Sequence, residues 1–551
     1  MEAKRPDPPP QPHRLSTQSA TARIPDVSGL ARDRRNLVLP ARTWQHFTPI
    51  ARRARLRPQG GTRWPTARAA DSVEPRPWRA HACGSDHYPL PVPEHTDIAI
   101  VGMGAAGLMA AIWAGRTAQV RGRRVRIVGL DGAARLGAKI LVAGGGRCNV
   151  THDEVSQRDY AGSSRNAIKK VLRSFDVPRT VEFFREIGVD LKREDTGKLF
   201  PVTDNAHTVL DALLRGVEEA GVEVRHPARV TAVERLGRHV AVPPDAPVGS
   251  PAPAPNSAPS DPARFRLTGA WGTLDATRVI LAAGGMALPR TGSDGAGYGL
   301  ARHLGHSISQ AVFPALVPLR LEAGHFLTGL SGVAAVATVQ VRASTGKRLE
   351  SFTNPVLCTH FGLSGPAILD VSRYFTATRL GDPGAQLVLN WLPGSTPERL
   401  EIDLMNVGGQ RVTRLIATLA DVLATDPDRP PELPKVTTPA LPARLIDALC
   451  AHARVAPETL VCSLTREQRR ALIAAFTQLP VPIIADRGYT FAEATAGGVP
   501  LSELHLDTMQ SRACAGLHLC GEICDVDGRV GGFNFQWAWA SGYLAGCAAG
   551  G

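Results

Sequence analysis

The chain has 551 residues, 43% of them hydrophobic and 21% charged, a composition that excludes fibrous and wholly disordered classes and leaves room for two or three cores. Its formal charge of +13 is unevenly placed. Residues 1–90 carry sixteen basic against seven acidic side chains, so the excess belongs to a Pro- and Arg-rich leader. Nine cysteines without a CxxC pair exclude a disulfide framework and zinc-ribbon chemistry, and they suit a reducing cytoplasm.

In chain order, residues 1–95 lack sustained apolar periodicity and are expected to be a disordered leader: a nucleic-acid arm, a flexible extension or an over-extended gene start. Organised sequence begins near Thr96. A short apolar strand, Asp97 to Val101, runs into Gly102-Met103-Gly104-Ala105-Ala106-Gly107. An alanine-rich helix follows, then a second strand, Val125 to Val128. This is a βαβ unit with a glycine turn at its first βα junction. Gly102 permits the tight turn, Gly104 lets backbone approach a pyrophosphate, and Gly107 lets helix and strand pack closely. The helix N-terminus attracts the negative charge. The ribose-binding acid expected at the end of the second strand is Asp131, two residues beyond its ordinary place, where Gly129 stands. Its alternative is a solvated turn residue beside Gly132.

Next comes Leu136 to Thr151, in which Gly144-Gly145-Gly146-Arg147-Cys148-Asn149 sets bare backbone beside donor side chains. Such a surface suits a planar ring or a phosphate. Thr180 to Gly188 and His207 to Ala220 read as amphipathic helices, Val222 to Glu234 as extended chain, and Pro243 to Pro262 as an inserted loop. Arg278 to Ala283 is a strand followed by Gly284 and Gly285. Residues 312–495 then alternate β and α patterns as an inserted domain. From Leu517 the chain repeats strand, glycine loop and helix, as if returning to the first domain. Ile98 to Gly115 and Gly531 to Gly551 are charge-free over nearly a membrane span. Their glycines, with Asn534 and Gln536 in the second, argue against bilayer helices.

The motif at 136–151 resembles the BaiN/YhiN-like family of bacterial flavoproteins, described as NAD(P)/FAD-dependent oxidoreductases. The resemblance continues through Asp195 to Asp204 (DTGKLFPVTD), Val279 to Gly299, Pro314 to Leu319 (PALVPL) and Thr359 to Pro366. It ends with Thr495 to Val499 (TAGGV) and Leu519 to Gly542. It implies an α/β fold with a Rossmann-type FAD-binding domain of the two-dinucleotide-binding-domain type. That domain would be split into 96–311 and 496–551 around the mixed β/α insert at 312–495. It further implies that Ala283, Gly284 and Gly285 pass near FAD, that backbone around Val230 meets the adenine, and that Gly521 and Glu522 approach the ribityl-phosphate region. Gly531, Gly532, Phe533 and Asn534 would open a helix facing the flavin pyrimidine, where a helix N-terminus stabilises the charge of reduced flavin.

The expected cofactor site therefore comprises Gly102, Gly104, Ala105, Ala106, Gly107, Asp131, Lys139, Gly145, Gly146, Arg147, Cys148 and Asn149 with the later residues just named. Lys139 and Arg147 are expected to neutralise phosphate or stabilise an anionic flavin, the first role being favoured. Gly532→Val is expected to weaken FAD binding while the apo-protein still folds. His360 is the candidate catalytic acid, its alternative a local hydrogen bond that holds the turn. No metal site is expected. Gly295 to Gly299 has the wrong spacing for a second dinucleotide site, so electrons are expected from the substrate or from transient NAD(P)H. The leading expectation is a cytoplasmic FAD-dependent oxidoreductase acting on a small or medium organic molecule, without membrane or nucleic-acid partners. A flavin-dependent RNA-modifying enzyme and a non-catalytic flavin sensor are the alternatives.

Overall fold

Fully apolar strands demand cover on both faces, and the chain supplies it with helices. The computed structural model describes residues 94–236, 264–425 and 441–551; the leader up to residue 93 and the Pro243–Pro262 loop lie outside the described residues. β1 (His95–Val101) leads into α1 (Ala105–Val120) and then β2 (Ile127–Leu130). β3 (Val222–Arg225), β4 (Gly272–Leu281) and β5 (Leu517–Leu519) complete a parallel array in the order β5-β4-β1-β2-β3. β1 sits at its centre, with Ile98, Ala99 and Ile100 wholly buried. The first half of β4 also pairs antiparallel with Arg264–Gly269, which pairs in turn with Ala232–Leu236.

β2 begins two residues later than the apolar pattern predicts, because Ile98 is in register with Ile127 while the Arg126 carbonyl accepts the Asp97 and Ile98 amides. The strand consequently ends at Leu130, and Asp131 is the next residue. The displacement inferred from Gly129 disappears. Gly129 is instead required under the Met103 side chain, whose sulfur would lie 2.5 Å from any Cβ there.

Between the last strands stands a second sheet, all antiparallel, with strand order Leu479–Val481, Gln386–Asn390, Ala334–Arg342, Arg348–Thr359, Gly362–Ser364, Leu319–Leu321, Ile483–Asp486. It has its own core, which includes Val339, Leu389 and Phe476, and α2 (Pro366–Gly381) packs against it. The chain leaves and re-enters the first sheet's region through one antiparallel pair, Phe313–Ala315 with Ala494–Ala496. We take this pair as the neck of the inserted domain. The described residues nevertheless form one compact unit.

The chain's last helix, α3 (Phe533–Gly550), lies against α1. The approach is set by small residues at four-residue spacing on both helices. A Cβ on Gly542, Gly546 or Gly550 would come within 2.6, 2.4 and 2.2 Å of the carbonyl oxygens of Ala106, Ala110 and Ala114. Two helices this close dock through interlocking ridges and leave no room for one added methyl group. Gln536, buried in α3, is satisfied there. Its Oε1 accepts from the Thr151 and Thr180 hydroxyls at 2.6 and 3.0 Å, and its Nε2 donates to the Phe175 carbonyl at 2.7 Å. Among the described residues no helix is long and apolar enough to cross a membrane.

Candidate active site

Both helix N-termini open on one cavity of about 1100 Å³. α1 is capped by Gly104 and α3 by Gly532, neither has a side-chain cap, and neither has an acid in its first turn. Their free amides and dipoles therefore face a space that favours negative charge. The backbone explains the glycines one by one. Gly102, at φ +94°, sits against Ala282, whose carbonyl oxygen would be 2.5 Å from a Cβ. Gly107 lies against the Gly102 carbonyl, so its role is helix-to-strand packing, behind the cavity wall. At Gly104 a Cβ would meet nothing within 4 Å. This is the cradle a dinucleotide pyrophosphate requires.

Of the residues singled out from sequence, Gly102, Gly104, Ala105, Ala106, Asp131, Lys139, Gly145, Arg147, Asn149, Val230, Ala283, Gly284, Gly521, Glu522, Gly531, Gly532 and Asn534 line this cavity. Gly107, Gly146, Cys148, Gly285 and Phe533 do not line it. Cys148 is wholly buried, and burial pushes its thiol up to about 12, so it is a core residue and not a cofactor contact. Gly285 is crowded by Thr495, and Phe533 stacks on the His152 ring at 5.0 Å. His360 is exposed at the end of its strand, edge-on to Phe361, outside the cavity lining. The Thr359 hydroxyl, donating to Gly362 O at 2.8 Å, holds the turn. His360 is therefore set aside as the catalytic acid.

The charges are arranged differently from the sequence expectation. Lys139 is paired with Glu522 at 2.7 Å, and the other Glu522 oxygen accepts the Thr495 amide at 2.8 Å. Thr495 Oγ1 accepts the amides of Met286 and Ala287, which ties the Gly284–Gly285 turn to the chain's last segment. Arg147 is paired with Glu194 at 2.6 Å and lies over the Phe200 ring. Neither cation is left free for phosphate. Arg135 and Arg290 line the cavity without a side-chain partner among the described residues. Asp131 accepts the Met103 and Ala133 amides at 2.7 Å each, which fixes its carboxylate at the glycine turn. Asn534 clamps Gly528 through both amide atoms and so anchors α3. Asn149 Oδ1 is buried with no hydrogen-bond partner among the described residues, a vacant acceptor in the cavity lining. Gly295 and Asp294 cap the helix Ala296–His303, and Ala296 and Gly297 line this same cavity, so that glycine run belongs to the first site.

An open glycine cradle, two uncapped helix N-termini and an orphaned acceptor fit FAD. Together with a Rossmann-type parallel sheet they define an FAD-dependent flavoprotein. The chain belongs to the HI0933-like family: the HI0933-like protein Rossmann domain matches residues 96–244 and 257–548. This agrees with the BaiN/YhiN-like resemblance, and the interruption falls in the Pro243–Pro262 run. The 3-dehydro-bile acid delta(4,6)-reductase of Clostridium scindens is 32% identical over 457 residues, 82% of this chain and 98% of the relative. The ribosomal RNA dihydrouridine synthase of Escherichia coli is 29% identical over 82% of this chain and 97% of its own length. Among solved structures, 3-ketosteroid delta1-dehydrogenase from Sterolibacterium denitrificans has a TM-score of 0.42 at 11% identity, covering 83% of this chain and 99% of that one. The protein is an enzyme, an FAD-dependent oxidoreductase, which removes the sensor alternative.

Sequence reasoning missed the other end of the cavity. Lys198, Leu288, Leu316, Thr490, Phe491, Glu493 and Val530 line it. Leu288 and Leu316 hold φ of +53° and +52°, costly for leucine and typical of sites where surrounding structure imposes the backbone. Leu288 donates its amide to Tyr489 O, and Leu316 O accepts the Glu493 amide at 3.1 Å. Lys198 lies in DTGKLFPVTD, Leu316 in PALVPL, and Glu493 two residues before TAGGV. The signal was present as motif fragments with no local pattern to join them.

Proposed function

We propose that the enzyme reduces a carbon–carbon double bond conjugated to a ring carbonyl in a small or medium organic molecule, with NAD(P)H as a transient donor. The observation that carries this is that the cavity holding the glycine cradle is also lined by the apolar side chains of Leu288, Leu316, Phe491 and Val530. A ring substrate would be buried there beside the cofactor. The two relatives' names describe one chemistry on different molecules: a keto-conjugated alkene in a bile acid, and the unsaturated ring of uridine. Bound FAD supplies hydride exchange; the protein supplies position, a dry wall and proton transfer.

A second reading, base reduction in RNA, is favoured by Phe491. Its ring is 45% exposed, with the Arg487 guanidinium 3.5 Å from its centroid, an arrangement on which an unstacked base can lie. The test is anaerobic NADPH reduction of the purified flavoprotein, followed by a steroid 4-en-3-one, 2-cyclohexenone or a ribosomal RNA fragment, with products read by mass. A gain of two hydrogens on the small ketones is the expected result. A gain on the RNA alone establishes the second reading, and no gain on any of them refutes the conjugated-alkene proposal.

A further inference from the structure

Five carboxylates line the cavity, and four are engaged. Asp131 accepts two backbone amides, Glu194 pairs with Arg147, Asp294 with Arg229, and Glu522 with Lys139. Glu493 is the exception: no described residue hydrogen-bonds or ion-pairs with its side chain. Lys198, like Arg135 and Arg290, lines the cavity without a side-chain partner among the described residues. Glu493 and Lys198 interact electrostatically, yet they are too far apart for an ion pair. Opposite charges that face each other across a gap leave room for a polar group between them.

The fold places that gap beside the N-terminus of α3. Lys198 starts the strand Lys198–Pro201 opposite His152, whose ring stacks on Phe533, the first residue of α3. Glu493 is delivered by the neck pair, its amide held by the strained Leu316. Behind them Asp370 accepts the Val530 amide at 2.8 Å and pairs with Arg529, which also faces Asp159, and Lys198 acts on Asp370 as well as on Glu493. Protein atoms packed around it push the Glu493 carboxyl up although the residue stays open to the cavity, Lys198 draws it down, and Asp370 raises it. A carboxyl shifted upward keeps a proton closer to neutral pH, as a general acid must.

We infer that Glu493 is the catalytic proton donor and Lys198 the carbonyl-binding cation for a conjugated ring substrate seated between them. This rests on the conjugated-alkene reading above. The substrate gains a hydride at its β-carbon, with both electrons coming from bound FAD reduced by a nicotinamide-class donor. The alkene π pair shifts toward the carbonyl oxygen, where the Lys198 ammonium donates a hydrogen bond. The Glu493 O–H bond then breaks as its proton bonds to the α-carbon. The carboxylate left behind faces Lys198 and regains a proton from water.

The test uses the oxidised holoenzyme and 4-chlorophenol, whose phenolate mimics the substrate's charged oxygen; binding is read from the flavin absorbance. Lys198→Met is expected to weaken binding about tenfold. In the wild type, phenolate affinity, corrected for the phenol's own ionisation, should fall as pH rises through the Glu493 titration. Glu493→Gln should shrink that fall, and adding Asp370→Asn should remove what Asp370 contributes to it. Lys198→Gln repeats the measurement with a neutral polar side chain. In turnover of 2-cyclohexenone, Glu493→Gln should lower kcat at least about a hundredfold at unchanged FAD content. Phenol binding unaltered by both the Lys198 and Glu493 substitutions overturns the pair, whatever the activity. Altered binding in an enzyme that reduces no conjugated alkene supports the pair and refutes the reading on which its chemistry rests.

Discussion

The two ends of the cavity are built on opposite plans. At the glycine cradle the working groups are backbone amides, and every carboxylate nearby is tied down: Asp131 to Met103 and Ala133, Glu522 to Lys139 and Thr495. At the far end the backbone is strained at Leu288 and Leu316 while Lys198 and Glu493 have no side-chain partner among the described residues. A cofactor that stays bound is served by a fixed surface that loses no entropy on binding. A substrate that must react needs side chains free to change protonation or partner. The contrast separates a holding surface from a reacting one within a single cavity.

The heaviest test of the holding end is the helix pair behind it. Gly546→Leu would drive a side chain into the Ala110 carbonyl, and neither backbone can retreat without moving the cradle. A loss of about 3 kcal/mol or more is expected, seen as a collapse in melting temperature by circular dichroism. A variant that melts like the wild type would show that the α1–α3 contact is loose.

The pH dependence of stability sharpens the comparison through two buried groups of opposite kind, one on β5 and one beside Val530. His518 on β5 is held neutral: burial lowers its pKa to about 4, the Arg278 charge adds to this, and the hydrogen bond to Thr508 O partly opposes it. Its folded value lies below its unfolded one, so its contribution is complete above about pH 6.5 and is lost as pH falls toward 4. Asp370 behind the reacting end is raised by burial to about 6, with Arg529 opposing. The unfolded chain releases that proton first, so stability is lost as pH rises from about 4 through 6. Each effect is on the order of 3 kcal/mol at most. Melting curves between pH 4 and 7 should therefore flatten at the acid side for His518→Asn and at the neutral side for Asp370→Asn. Shifts in the same direction for both variants would contradict these assignments.

A smaller but more selective pair of substitutions divides the cradle itself. At Gly104 a valine side chain would enter open cavity, so FAD affinity should fall about tenfold or more while apo-protein melting holds. Gly532→Val, expected from sequence to behave that way, should instead destabilise the apo-protein by about 1–3 kcal/mol. Its φ is +92°, and the Thr151 backbone would lie 2.7 Å from the new Cβ. Fluorescence quenching by the two variants, beside apo-protein melting, reads both effects. The reverse outcome would mean that the cavity floor has been assigned to the wrong glycine.

The least effect is expected at the cysteines. Burial pushes the thiols of Cys148 and Cys520 up to about 12 and that of Cys524 well above its ordinary value. In native protein at pH 8 a thiol reagent should label exposed Cys462 and leave these three untouched. A Cys148 adduct formed in folded holoenzyme would reopen its role beside the flavin.

What the sequence by itself determined was the holding end, because its chemistry is local. A strand, a glycine turn and a helix N-terminus are encoded in adjacent residues, so the turn at Gly102 to Gly107 and the place of Asp131 just after the second strand were legible from spacing. The family's motif fragments extended that reading to Gly521 and Gly531–Gly532. Side-chain roles were less legible: Lys139 and Arg147 read as free cations until the fold supplied Glu522 and Glu194 as partners. His360 read as a proton donor until the turn placed it outside the cavity. Only tertiary structure decided the reacting end, since Lys198, Leu288, Leu316 and Glu493 come from four segments spread over nearly 300 residues. No local period links them. Leu316 and Glu493 meet because the strand pair Phe313–Ala315 with Ala494–Ala496 runs into both, while Lys198 and Leu288 arrive through pairings with His152 and Tyr489, and an unpaired charge has meaning only once every neighbour is known.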